Sequence, residues 1–392
     1  MHQATLQKID EIASILLNVC PKQGFGLYTG NAGIALFLFY YARFRSDEEI
    51  LRYASDYMEG VFKQIRETPH PPFSHCSGVA GVGWLLHHLC QHGFMQDDPD
   101  ENSPDVDDYL YHRALNEMER GHYDFLHGAM GVVLYFIKRN HLEYLRHLIR
   151  NLEQIALWDE DGAKWRSALF RQKEKSGFNI CLSHGSSGIA LVLYKALQVM
   201  PEDEQVRALL KGTVTYILDQ EIDVEKYGSY FPNISIESQS ELYKSRLAWC
   251  YGDLGVAMSV WQSGLLLNKR EWTDKGFKVL LHLAGRRGLV ENRVQDAGFC
   301  HGTAGVAHFF NRLYRITQRM EFIEAADYWH LETLKMATFT DGLAGYKALH
   351  SEEHGGWQTS ETLLEGIAGI GLSLLSSVMP EDPAWDECML LS

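Results

Sequence analysis

Three residues in the second half of this chain carry the donor atoms of a soft metal site: Cys250, Cys300 and His301. Two thiolates and an imidazole bind zinc at roughly 2.3 and 2.0–2.1 Å, and three protein ligands leave a fourth position open, which is the catalytic rather than the structural pattern. The two cysteines are 50 residues apart and no CxxC pair is present. Spacing alone therefore leaves two readings open: a metal site, or two free thiols filling a core.

What puts these residues in register is an internal repeat. A Gly-x-x-Gly followed by an apolar run begins at Gly30, Gly78, Gly128, Gly185, Gly252, Gly302 and Gly366, with successive spacings of 48 to 67 residues. Each unit has room for two helices and two loops. The runs after the glycines, such as IALFLFYYA and VVLYFI, are apolar nearly all round and predict buried helices. The segments between them, such as LEYLRHLIRNLEQIAL, are amphipathic and predict outward helices. The glycines are expected to supply positive φ and close backbone approach at each turn.

An open stack of such pairs needs polar caps, yet repeats 1 and 7 are as apolar as the others. The expected fold is all-α: a closed α/α toroid (double α-barrel) of seven helical hairpins, forming one domain over residues 1–392. Two long inserts interrupt it. Trp158–Asn179 is expected to hold a small β-ribbon, and Asp223–Ser240 a polar loop flanking a site.

Aligned on the first glycine, the two preceding residues form one rim of the ring. They read Tyr28-Thr29, Cys76-Ser77, Leu126-His127, Ser183-His184, Cys250-Tyr251, Cys300-His301 and Leu364-Glu365. Polar groups converging on one cavity mouth mark a site. Cys250 and Cys300 hold the same register in consecutive repeats, and His301 follows directly. His184 is one station earlier and can serve as a general acid or base, or as an inert rim histidine. Asp124 and Arg246, each four residues before a repeat glycine or a rim cysteine, are read from the residues alone as solvated charges. Cys76 is expected to be a core filler. Cys20, Cys90, Cys181 and Cys388 are off register and taken as structural.

The net charge of −15 and the lack of any Lys/Arg block argue against nucleic acid as a partner. The N-terminal segment has no basic n-region, and no run of 18 apolar residues exists, so neither a signal peptide nor a transmembrane helix is expected. Seven dispersed cysteines do not suggest a disulfide framework. A reduced, cytoplasmic protein is the expectation.

At the rim the sequence resembles the LanC-like lanthionine cyclase family. The matching pieces are Trp249-Cys250-Tyr251-Gly252, Cys300-His301-Gly302, Ser183-His184-Gly185, Asp124-Phe-Leu-His127-Gly128 and Leu364-Glu365-Gly366-Ile-Ala-Gly369, within a likeness running from Gly26 to Leu375. The resemblance implies one zinc (Zn2+) held by Cys250, Cys300 and His301. It also implies addition of a precursor-peptide cysteine thiol to dehydroalanine or dehydrobutyrine, closing (methyl)lanthionine rings in lanthipeptide biosynthesis. By motif position His184 matches the family's acid/base histidine, and Asp124 and Arg246 its other polar active-site pair. The implied partners are a dehydrated precursor peptide, with a dehydratase and an exporter as further candidates and peripheral association with their membrane complex.

One departure stands out: the residue before Gly128, often acidic in the family, is His127. The resemblance also admits an alternative, since eukaryotic-type members are linked to glutathione binding and to adding glutathione to dehydroamino acids. Zinc prenyltransferases, whose ligand set includes an Asp, and toroidal glycosidases with paired carboxylates fit the rim less well.

Overall fold

The computed structural model describes residues 2–19, 24–96, 103–167, 177–239 and 241–392. Outer and inner helices alternate along the chain. Repeat 1 is α1 (His2–Asn18) and α2 (Asn31–Arg45), repeat 2 is α3 (Glu48–Glu67) and α4 (Val79–Gln91), and repeat 3 is α5 (Ser103–Glu119) and α6 (Ala129–Arg139). Repeat 4 runs from α7 (Leu142–Gln154) through the strands β1 (Leu157–Asp159) and β2 (Gly162–Lys164) to α8 (Ser186–Val199). Repeat 5 runs from α9 (Glu204–Asp219) through the short α10 (Val224–Tyr227) to α11 (Asp253–Leu266). Repeat 6 is α12 (Arg270–Ala284) and α13 (Thr303–Thr317). Repeat 7 runs from α14 (Met320–Lys335) through β3 (Ala348–Leu349) and β4 (Trp357–Gln358) to α15 (Ile367–Val378). The fold is an α/α toroid, as the repeat pattern predicts.

Inner and outer helices differ as their sequences require. In α2 every residue from Asn31 to Ala42 is buried, whereas α3 buries only Ala54, Tyr57, Met58 and Val61, a stripe at i, i+3, i+4 and i+7. Fully burying a side chain such as Met58 or Val61 contributes about 1.5–3 kcal/mol. Asp47 starts α3 by accepting the N–H groups of Glu49 and Ile50, and Asp203 starts α9 by accepting that of Val206.

The Gly-x-x-Gly turn differs in one respect from expectation. Six of the seven first glycines have φ between −102° and −144°, and only Gly252, at +94°, adopts the left-handed region. What most turns need is room. A Cβ on Gly305 would lie 1.8 Å from the carbonyl oxygen of Phe299, and one on Gly252 would lie 2.0 Å from that of Arg246. Glycine lets the chain fold back onto its own backbone as the inner helix begins.

The chain divides into two compact units, one of residues 1–72, 76–97 and 287–392 and one of residues 73–75 and 98–286. In the first, α15 packs against α13, α1 and α2, so the seventh repeat meets the first. This mutual cover explains why neither end carries a polar cap. A C-terminal 3-10 helix, Ala384–Met389, is buried in the same unit, where Asp386 pairs with Arg312 at 2.8 Å and His308 at 2.8 Å.

In the second unit, α8 packs against α6, α9 and α11. The expected β-ribbon is present: β1 and β2 pair antiparallel, and the Trp158 ring lies over Gly212 of α9. The ribbon's insert continues through residues 168–176, outside the described residues, as do Cys20 and Ser240. The loop that follows α9 holds α10 and a 3-10 turn, Ile236–Ser238.

Candidate metal centre and acid–base pair

The rim is tied together by main-chain hydrogen bonds that step from one repeat to the next. In the first unit Tyr28 N–H donates to the Cys76 carbonyl (2.8 Å), Cys300 to Leu364 (2.8 Å) and Leu364 to Tyr28 (3.0 Å). In the second, Leu126 donates to Ser183 (3.4 Å) and Ser183 to Cys250 (3.3 Å). Each of these five residues thus hands its N–H forward to the same position of the following repeat. Because these joints use backbone atoms, the register read from the sequence is a physical alignment.

In repeats 3 and 4 this alignment assembles an acid–base pair. His184 Nδ1 lies 3.5 Å from Asp124 Oδ1, long for a hydrogen bond but close for an ion pair once the imidazole is protonated. Asp124 is fixed by accepting the His127 N–H at 2.7 Å. Burial works to raise the Asp124 carboxyl, but the facing His184 and the His127 N–H outweigh it and hold the group below its usual value. The ring of His127 stacks on that of His184, centroids 5.6 Å apart and planes 23° from parallel. Burial lowers the His127 imidazole; Asp124 opposes this and His184 adds to it.

Around the pair, Tyr251 lies 6.2 Å from the His184 ring, and its hydroxyl accepts from Asn179 Nδ2 at 3.4 Å. Burial raises the Tyr251 phenol, keeping it neutral. Cys181, read as structural, lies beneath His184 and accepts its N–H at 3.3 Å, with Ser183 Oγ at 3.4 Å. Burial pushes its thiol up to about 12, so it stays protonated as a neutral support.

Cys250 is buried on the next station, where the turn is built in its own way. Beyond the positive-φ Gly252, the buried Asp253 accepts the N–H groups of Tyr230 (2.9 Å) and Phe231 (3.1 Å) and the Ser245 hydroxyl (2.8 Å). Burial raises its carboxyl; Arg286 and these three donors act against that rise. Asp253 thereby ties the loop after α9 to the segment that carries Cys250. Arg246 is half-buried on that segment, its N–H held by Asn233 Oδ1 at 3.1 Å.

In repeat 6, His301 is oriented by a residue the sequence did not single out. Asp296 Oδ2 is 3.4 Å from His301 Nε2 and accepts the N–H of Leu349 at 3.0 Å, while Oδ1 accepts that of Gly298 at 3.2 Å. Burial tends to raise this carboxyl, but His301 and the two N–H groups keep it below its usual value. With Nε2 turned to Asp296, Nδ1 is the nitrogen left for a metal. A carboxylate behind a ligating imidazole fixes its tautomer and raises its basicity. In repeat 7, Glu365 lies 3.8 Å from His350, the residue after β3.

Among the described residues, Cys250 of the second unit and Cys300 and His301 of the first are the cysteine and histidine side chains that could hold a metal ion. Two thiolates and one imidazole are a donor set that tetrahedral zinc accepts, with a fourth position left open. Two sulfurs and one nitrogen favour zinc over the hard cations, and the Asp296 contact supplies the carboxylate such a histidine usually has. The residues present fit the metal.

The family description "Lanthionine synthetase C-like protein" matches residues 21–390 of the chain. The chain belongs to this family. Among curated relatives of this lanthionine synthetase C-like protein, the zebrafish (Danio rerio) glutathione S-transferase LANCL1 is 24% identical over 322 residues, 79% of this chain and 76% of the relative. The nisin biosynthesis protein NisC of Lactococcus lactis subsp. lactis is 20% identical over 378 residues, 89% of this chain and 84% of the relative. The solved structure of nisin cyclase matches with a TM-score of 0.76 at 18% identity, covering 99% of this chain and 97% of that one, which establishes the shared fold. No helix among the described residues is long and apolar enough to cross a membrane.

Sequence reasoning missed Asp296 and Asp253. Asp296 is five residues before His301 and outside the rim register; Asp253 is inside a Gly-x-x-Gly. A buried carboxylate with several backbone donors has no signature in sequence. The placement of Asp124 is also sharper than its residue-level reading as a solvated charge: it is largely buried against His184.

Proposed function

We propose that this chain is a zinc-dependent lanthionine cyclase, forming C–S bonds by Michael-type addition of a peptide cysteine thiol to dehydroalanine or dehydrobutyrine. The observation that carries the reading is the Cys250–Cys300–His301 donor group, with the His184–Asp124 pair on the station before Cys250. Cys250, Cys300 and His301 would hold the ion, and zinc when bound would let a thiol that is mostly protonated at neutral pH ionise.

The protein's own residues then manage the proton. As sulfur bonds to the β-carbon, the π electrons of the alkene pass to the α-carbon and its carbonyl, giving an enolate. His184, charged and balanced by Asp124, donates its proton to the α-carbon. Asp124, 3.5 Å from Nδ1, holds the imidazole in one orientation. Tyr251, a neutral phenol beside His184, can donate a hydrogen bond to the substrate carbonyl. Arg246 is assigned to the developing enolate charge.

The test is to incubate purified, zinc-loaded protein with a dehydrated precursor peptide and count free thiols by alkylation mass. Thiols should disappear. Cys250→Ala and Cys300→Ala should lose both zinc and cyclisation. His184→Ala should retain zinc and lose about 10²–10⁴-fold in rate. Unchanged thiols with zinc bound would sink the cyclase reading for that substrate.

A second reading is favoured by the zebrafish relative, whose name is that of a glutathione S-transferase. The same residues would then act on the thiol of glutathione and a dehydroamino acid in another chain. A parallel incubation with glutathione and a dehydroalanine peptide separates the two: adduct formation there, without ring closure of the precursor, selects it. In the cyclase reading the partners are the dehydrated precursor and, where it acts in a complex, a dehydratase and an exporter, with the protein working in the cytoplasm.

A further inference from the structure

We propose that His127 is a proton-relay residue that recharges His184 from solvent after each turnover. The proposal rests on the thiol-addition reading above and adds a step that reading leaves open. Addition releases one proton from the thiol and consumes one at the α-carbon. The proton that His184 gives up must be replaced before the next cycle, and His184 is only 14% exposed while Asp124 beside it is only 16% exposed.

The geometry supplies a route. His127 is an exposed residue, and its ring covers His184 at a centroid separation of 5.6 Å with planes 23° apart. Stacked rings do not aim their in-plane N–H groups at one another, so the transfer runs through a bridging water. Its backbone N–H is anchored to Asp124 Oδ1 at 2.7 Å, so the same carboxylate fixes one imidazole and pairs with the other.

Three ionisable groups thus form one unit: Asp124, His127 and His184. The other groups facing it, Tyr251 and Cys181, stay neutral because burial raises both. With one carboxylate for two imidazoles, charge balance favours a single shared proton, and neighbouring sites of this kind titrate as a pair. Burial of the His127 ring disfavours its charged form, Asp124 opposes this and His184 adds to it, so a proton taken up there is readily passed to the neighbour. The proton enters from water at His127, passes to His184 and leaves to the α-carbon; the thiol proton returns to solvent, so the balance closes.

The experiment uses full-length, zinc-loaded protein and a synthetic peptide carrying one cysteine and one dehydroalanine. For His127→Ala, kcat should fall about tenfold with KM unchanged and should climb back toward wild type as MES buffer, which does not coordinate the metal, is raised. Wild-type kcat should not respond to buffer. A variant kcat equal to wild type, or a loss that buffer does not restore, overturns the relay.

A second arm needs no turnover: imidazole nitrogen chemical shifts followed against pH in protein labelled at histidine. The titration of His184 should move when His127 is replaced. An unmoved His184 curve overturns the shared proton. Wild-type protein that consumes no thiol counts instead against the thiol-addition reading, and the titration still decides the pair.

Discussion

Asp296 shows how one carboxylate can serve a candidate metal ligand and the backbone together. It faces His301 Nε2, accepts from Leu349 and Gly298, and is almost wholly buried. Replacing it with asparagine keeps the shape and removes the charge behind the imidazole. Asp296→Asn should weaken zinc binding about 10–100-fold, measured by competition with a chromophoric chelator, with the circular dichroism spectrum unchanged. An unaltered affinity would show that the contact at 3.4 Å does nothing for the ligand. The three candidate ligands stood out in the sequence because cysteine is scarce, seven in the chain, and their motifs fall at repeat boundaries. Asp296 was not, because an aspartate a few residues upstream looks like any surface charge until the chain folds its carboxyl inward. Asp124 lay between these cases. Its motif was visible, but only the fold shows that its carboxyl meets His184.

At the level of elements, the repeats were readable because each inner helix must be apolar all round and each turn needs glycine. The reason for the glycine was only half legible. Sequence cannot separate a need for positive φ from a need for space, and here Gly252 alone among the first glycines of the repeats has positive φ. Gly252→Ala meets both obstacles, a φ of +94° and a Cβ 2.0 Å from the Arg246 carbonyl oxygen. It should cost about 1–3 kcal/mol from backbone conformation and more from the clash, and it should displace Cys250. Gly60, inside α3 with nothing within 4 Å of its Cβ position, is the control. Gly60→Ala should stabilise by about 0.5–1 kcal/mol. Urea unfolding of the two variants checks the pair, and equal effects would refute the distinction. The β1–β2 ribbon was foreseen from the charged insert. The β3–β4 hairpin was not, since strands of two residues leave no alternation to detect.

The whole molecule should be sensitive to acid for reasons that lie away from the rim. His330 is fully buried, and burial, with the charge of His308, lowers its imidazole to about 3. His308 is lowered by burial as well, although Asp386 opposes this. An unfolded histidine titrates near 6.5. Between those values the unfolded chain binds protons that the folded one refuses, so stability falls as pH falls, by about 1.4 kcal/mol per pH unit for each such group. Asp386, held below its usual value against burial by Arg312 and His308, adds loss at still lower pH. Urea midpoints should therefore drop steadily from about pH 6.5 downward, and His330→Asn should flatten that slope; an identical slope in the variant would contradict it. The rim has a different consequence. Apart from the Ser183 hydroxyl, which also donates to the Cys250 carbonyl, its repeat-to-repeat joints described above run from N–H to carbonyl groups, so they constrain where a side chain stands more than what it is. Tyrosine, leucine, serine and cysteine already occupy equivalent mounts. A rim built this way can exchange the side chains it displays by point substitution, leaving the mounts in place.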